Sequence, residues 1–205
     1  MLEFYAENLQ MLDSALNAVM VLIWTVYLHL ILLNHLRQSG TVIHIDIGAA
    51  KGARSRCLVT NLSYNPVYVQ GLVADLACNG DTSRTIVTDR NEISEDDVED
   101  PLARTNRGTL QPGETVDIGS LADIVNRARI SLKQDWTPDQ IDTVTVSVVA
   151  IAGQASRIVG ASKTFIAQNT SEHLTFSSQS LLTHQMKPGK TREEFSRILR
   201  QQTQE

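Results

Sequence analysis

The residues best equipped for chemistry are five histidines and two cysteines, and their spacing decides what they can do. Cys57 and Cys78 lie far apart, without the paired spacing through which a zinc site draws two thiolates from one turn. Two thiols are also too few for a disulfide-rich scaffold. They read as small buried side chains, and a single bridge stays open to them if the domain faces an oxidising compartment. His44 falls in a strand-like stretch, and His173 and His184 fall in a polar tail, so spacing alone gathers no ligand set. The chain has no G-x-S-x-G, no H-E-x-x-H and no phosphate-cradling glycine loop. Seven acidic residues between Asp89 and Asp100 could attract Ca²⁺, but the ordered calcium-loop pattern is missing. That run reads as a solvated acidic loop, with docking of a basic partner as its second use. No catalytic, cofactor or metal residue is assigned from sequence.

The elements that would position any site divide the chain between two solvents. From Ala15 to Leu36 it reads ALNAVMVLIWTVYLHLILLNHL, without Asp, Glu, Lys or Arg. As a helix, this stretch covers about 33 Å, enough for roughly 30 Å of hydrocarbon. The preceding residues, 1–14, carry Glu3, Glu7 and Asp13 and no basic residue, the opposite of a signal peptide, so an uncleaved anchor over 15–36 is expected. Arg37, Lys51, Arg54 and Arg56 follow it, which predicts a cytoplasmic domain behind a cell-membrane anchor. Ser14, Ala18, Thr25 and His29 share one side of this helix, a stripe suited to close helix–helix contact. His29 could alternatively serve a proton or metal path, but no second ionisable group lies beside it.

After Gly40 the pattern changes to alternation, the mark of half-buried strands. Strands are expected over 41–47, 56–61, 66–78, 85–88, 115–118, 141–151 and 157–166, with a hairpin at Gly153. Helical spacing over 121–130 has Ser120 as N-cap and Asp123 at its third position. Strands of this number and length point to a β-sandwich over 41–167. The stretch CLVTNLSYNPVYV, the LQPGE turn and the final strand pair resemble an immunoglobulin-like sandwich in outline. The resemblance implies architecture alone. The Cys-Trp-Cys pattern and tyrosine corner of antibody domains have no counterpart, and an open barrel fits the same strands.

Residues 168–205 turn polar and are expected to form a linker ending in a short amphipathic helix. Thr191 and Glu194 suggest a capping box, and Phe195, Ile198 and Leu199 share one face. A helix this short needs a surface: its own domain, a protein partner, or anionic lipid, given Lys187, Lys190, Arg192, Arg197 and Arg200.

The totals of 18 basic and 23 acidic residues, net −5, argue against a nucleic-acid partner held through phosphates. The expected class is a membrane-anchored, non-catalytic interaction module or accessory subunit of a membrane complex. Its expected partners are the lipid bilayer and another protein or further copies of itself. A tethered enzyme with a site assembled only in the fold, and a small oligomeric channel or transporter subunit, are the competing classes.

Overall fold

A computed structural model describes residues 2–38, 40–48, 55–90, 104–134, 140–152, 157–170, 173–186, 193, 195–198 and 200. The chain divides into two compact units, Met1–Gly40 and Thr41–Glu205.

The first unit is the helix α1, Leu2–Gln38. Within it Gln10–His35, 26 residues, is long and apolar enough to cross a membrane. Every side chain from Gln10 to His35 is exposed. The helix starts well before the apolar run, so the acidic N-terminal residues extend it rather than form a separate segment.

The second unit is a two-sheet, sandwich-like β domain. Three strands, β1 (Ile43–Gly48), β2 (Arg56–Asn61) and β6 (Thr115–Ser120), form the smaller sheet in the order β1-β2-β6. The larger, seven-stranded sheet is built on β3 (Val67–Cys78), β7 (Ile141–Ala152) and β8 (Arg157–Thr170). β4 (Asp81–Ile86) and β5 (Gly108–Leu110) share the outer edge of β3. β9 (His173–Ser178) and β10 (His184–Gln185) share the outer edge of β8. All of these pairings are antiparallel.

The core follows from the two-residue period of the strands. Val144, Val146, Val148 and Ala150 of β7 meet Leu72, Ala74, Leu76 and Phe165 of their neighbours, and Ile43, Ile45, Cys57 and Val59 close the layer from the smaller sheet. The helix α2, Leu121–Leu132, starts at Ser120, whose hydroxyl accepts from the Asp123 amide while the Asp123 carboxylate accepts from the Ser120 amide. It stops at Lys133, in the left-handed conformation. Its buried Arg127 donates to the carbonyls of Val87 (2.9 Å) and Ile118 (2.8 Å), tying the helix to both layers. Gly119, at φ +109°, is needed there, because a Cβ would stand 2.5 Å from the guanidinium.

Two expectations require correction. The strand expected over 85–88 is displaced, because the turn at Asn79-Gly80 returns the chain at once and β4 runs over Asp81–Ile86. The short β5 was not foreseen; three residues are too few for a periodic signal. The tail past Ala167 is not simply a linker, since β8 continues to Thr170 and β9 and β10 extend the larger sheet. The hairpin at Gly153, most of the acidic run, and the Thr191–Glu194 cap lie outside the described residues.

Candidate functional site

The outward residues of the larger sheet form a polar concavity. Alternation turns Ser147 and Thr145 away from the core that their neighbours fill. Register then builds rows across strands: Val73 opposite Ser147, Ser147 opposite Ser162, and Ser162 opposite His184. The next row sets Arg84, Asp75, Thr145 and Thr164 side by side. From these rows Asp75, Arg84, Thr145, Ser147, Ser162 and His184, together with Met186 and Phe195, line a groove of about 270 Å³.

Ser162 and His184 are direct cross-strand partners, so a hydroxyl and an imidazole stand on adjacent strands, the first half of a nucleophile–base pair. The acid that would orient the imidazole is misplaced. Asp75 lies on β3, separated from β10 by β7 and β8, about 14 Å at ordinary strand spacing. Its carboxylate is held by Arg84, through Nε and through Nη2 at 3.0 Å. Among the described residues no side-chain hydrogen bond joins His184 to Ser147 or Ser162. This arrangement offers hydroxyls, an imidazole and an aromatic wall for binding, without a relay.

The groove is closed by the C-terminal helical segment. Phe195 is buried against Val73, Val149 and Met186, with the Arg84 guanidinium 5.2 Å from its ring centre. Gly160 makes the notch that Met186 fills, since a Cβ there would lie 2.6 Å from both the Met186 sulfur and the Val148 carbonyl oxygen.

A second cluster joins the two sheets. Lys163 points into the core from β8, its side chain only 1% exposed, and its Nζ lies 2.9 Å from Asp46 Oδ1 on β1. Burial works to raise the Asp46 carboxyl, but hydrogen bonds from Lys163 and the Ile47 amide, with the lysine's charge, outweigh it and hold its pKa below the ordinary carboxylate value. Beside them, the Thr183 hydroxyl bonds the Ile45 amide (2.9 Å) and carbonyl (3.1 Å) and lies 3.1 Å from His44 Nδ1. The Gln185 carboxamide accepts from the Ile43 amide (3.1 Å) and donates to its carbonyl (2.7 Å). Two side chains thus occupy the free edge of β1 where a strand would otherwise pair.

The residues singled out in the sequence are placed as follows. Ser14, Ala18, Thr25 and His29 lie exposed on α1, with the Ser14 hydroxyl donating to the Gln10 carbonyl (2.9 Å) and Thr25 to Val21 (2.7 Å). Those protons are spent within the helix, so across a contact the two hydroxyls can only accept. Phe195 is buried against Val73, Val149 and Met186 of its own domain and Ile198 is half-buried; Leu199 lies outside the described residues. Cys57 and Cys78 are free thiols, and burial, with the nearby Asp117, pushes the Cys57 thiol up to about 12. The groove residues Asp75, Arg84, Ser147 and Ser162 escaped sequence reasoning because only strand register brings them together.

No family model matches the chain, and no curated protein matches it. Among solved structures it is similar to a protein from Archaeoglobus fulgidus known by crystal structure, at 7% identity and a TM-score of 0.20, covering 74% of this chain and 99% of that one. Likeness at that level bears on neither fold nor function.

Proposed function

We propose that the protein is a membrane-anchored, non-catalytic interaction module, held in the cell membrane by α1 and presenting its β domain to a protein partner or to further copies of itself. The observation that carries the reading is the exposure of every side chain over Gln10–His35, an apolar surface some 39 Å long that water does not solvate and lipid does. The groove supports binding over catalysis, because the carboxylate nearest in type to a relay acid is three strands away and engaged with Arg84. The immunoglobulin-like outline fits a scaffold that displays surfaces rather than a cleft. The basic residues after the span favour a cytoplasmic domain.

Within the membrane, the Ser14, Ala18, Thr25 and His29 stripe supplies the contact between spans, with His29 facing acceptor oxygens of a neighbouring helix. The test is crosslinking in native membranes after alkaline extraction. The chain is expected to stay with the membranes and to yield a defined partner or homo-oligomer that Thr25→Leu with His29→Leu weakens. Release into the supernatant would end the anchored reading. A membrane-retained chain that crosslinks to nothing would end the module.

A further inference from the structure

One end of the sandwich has a surface unlike the other. The pairings Ile43 with Asn61, Thr60 with Thr115, and Val67 with both Leu110 and Ala152 put the Ala152–Arg157 pair at the end where the chain arrives at Thr41, and bring three described connecting segments there. These are residues 41–42, the β2–β3 corner 62–66, and the β5–β6 turn 111–114. The corner is firmly held. The Leu62 amide donates to the Val42 carbonyl (2.9 Å), and the Val42 amide donates to the Ser63 hydroxyl (3.1 Å). The buried Asn61 side chain donates to the carbonyls of Asn65 (2.9 Å) and Leu110 (3.0 Å) and accepts from the Ser63 amide (2.9 Å) and hydroxyl (2.6 Å).

On this fixed frame Tyr64 is 72% exposed and Leu62 56%, beside Val42 at 41%. Ser63 and the Asn61 side chain that holds the loop are buried while Leu62 and Tyr64 point outward, the reverse of an ordinary turn. Among the described residues of the three segments, Glu114 is the one charged side chain, and its carboxylate accepts from the Gln111 amide. The opposite end carries Arg56, Asp81, Asp117 and Asp142.

We propose that this end is a bilayer contact, with Val42, Leu62 and Tyr64 seated at the boundary between headgroups and acyl chains. The inference rests on the anchored reading and names a second surface through which the chain meets the membrane. Two observations select lipid as the occupant. The stretch from Gln38, the last residue of α1, to Val42 is four residues, at most about 14 Å of chain, which keeps Val42 and the corner bolted to it close to the bilayer surface. An apolar ring with a polar tip beside a leucine and a valine is the chemistry that the interface accepts.

The test uses the full chain in phosphatidylcholine vesicles, with an environment-sensitive fluorophore on Tyr64→Cys or Leu62→Cys in a Cys78→Ser background. Cys57 has no exposure and stays unlabelled. Asp81→Cys, at the opposite end, is the control. Probes at positions 62 and 64 are expected to shift to the blue and to be quenched by lipids spin-labelled near the headgroup, with the probe at 81 unaffected. If the chain floats with the vesicles while the probes at 62 and 64 remain aqueous, the contact is refuted and the anchor stands. Probes that are aqueous in pure lipid but shielded in native membranes would also refute it, by giving the surface to a protein. A chain that fails to float removes the anchored reading and this inference together.

Discussion

The Lys163–Asp46 pair should respond very unequally to loss of its two members. The Lys163 side chain is 1% exposed, whereas that of Asp46 is 52% exposed. Asp46→Ala therefore strands an ammonium in the core, with only the Leu181 carbonyl left, at 3.5 Å. Breaking a fully buried pair costs about 3–5 kcal/mol, and the half-exposed carboxylate and partial access of water bring this site to about 2 kcal/mol. Lys163→Met removes the buried charge itself, keeps the side-chain volume beside Phe165, and leaves a carboxylate that water can solvate, for a change of about 1 kcal/mol or less in either direction. For a protein of this size 1 kcal/mol moves Tm by roughly 2–4 °C, so Asp46→Ala should lose about 4–8 °C and the double variant should recover to near Lys163→Met. The assay is thermal unfolding of the full chain in detergent, followed by the β-sheet circular dichroism signal. Because Asp46 titrates below the ordinary carboxylate value when folded, its contribution is complete above that value and fades as pH falls through the lowered pKa. The gap between wild type and Asp46→Ala should narrow accordingly in acid. Equal losses for the two single variants, or a larger loss for Lys163→Met, would refute the reasoning.

Gly160→Ala should cost about 1–3 kcal/mol, because the Met186 thioether can move aside but the Val148 carbonyl oxygen cannot; thermal unfolding in detergent reads the loss. Cys57, buried and with its pKa pushed up to about 12, should resist a chromogenic thiol reagent in the folded chain, while the partly exposed Cys78 reacts; the second thiol should appear only on unfolding.

The parts of the fold that the sequence announced are those whose signal is local. The charge-free run over 15–36, the alternation in β7 and β8, and the Ser120–Asp123 cap each depend on neighbours within one element. β2 and the start of β3 were legible for the same reason, since an Asn-led corner and Pro66 bracket them. The groove was illegible because its residues come from five strands and a terminal segment, and register is a long-range property. Lys163 shows the limit most clearly. It sits at an inward position of a strand, where alternation alone would ask for an apolar residue, and its counter-charge lies on the other sheet.

The part of the tail after β9 escapes the alternation signal for a reason that also explains how the domain is closed. A strand that pairs through its backbone leaves alternation in the sequence, but the segment after β9 meets β1 through the side chains of Thr183 and Gln185. These polar side chains take the place of a backbone ladder. Their effect is to satisfy an edge that would otherwise present the amides and carbonyls of Ile43 and Ile45 to any passing strand. The same segment supplies the carbonyl near Lys163 and delivers Met186 to the Gly160 notch. From there the chain runs on toward Phe195, which covers the outer face. The polar stretch that resembled a linker thus seals one sheet edge, supports the buried ion pair and begins the cover over the groove. Its composition is largely polar because the first two of those contacts are made with hydrogen-bonding backbone or charge, and only the cover, through Met186 and Phe195, is apolar.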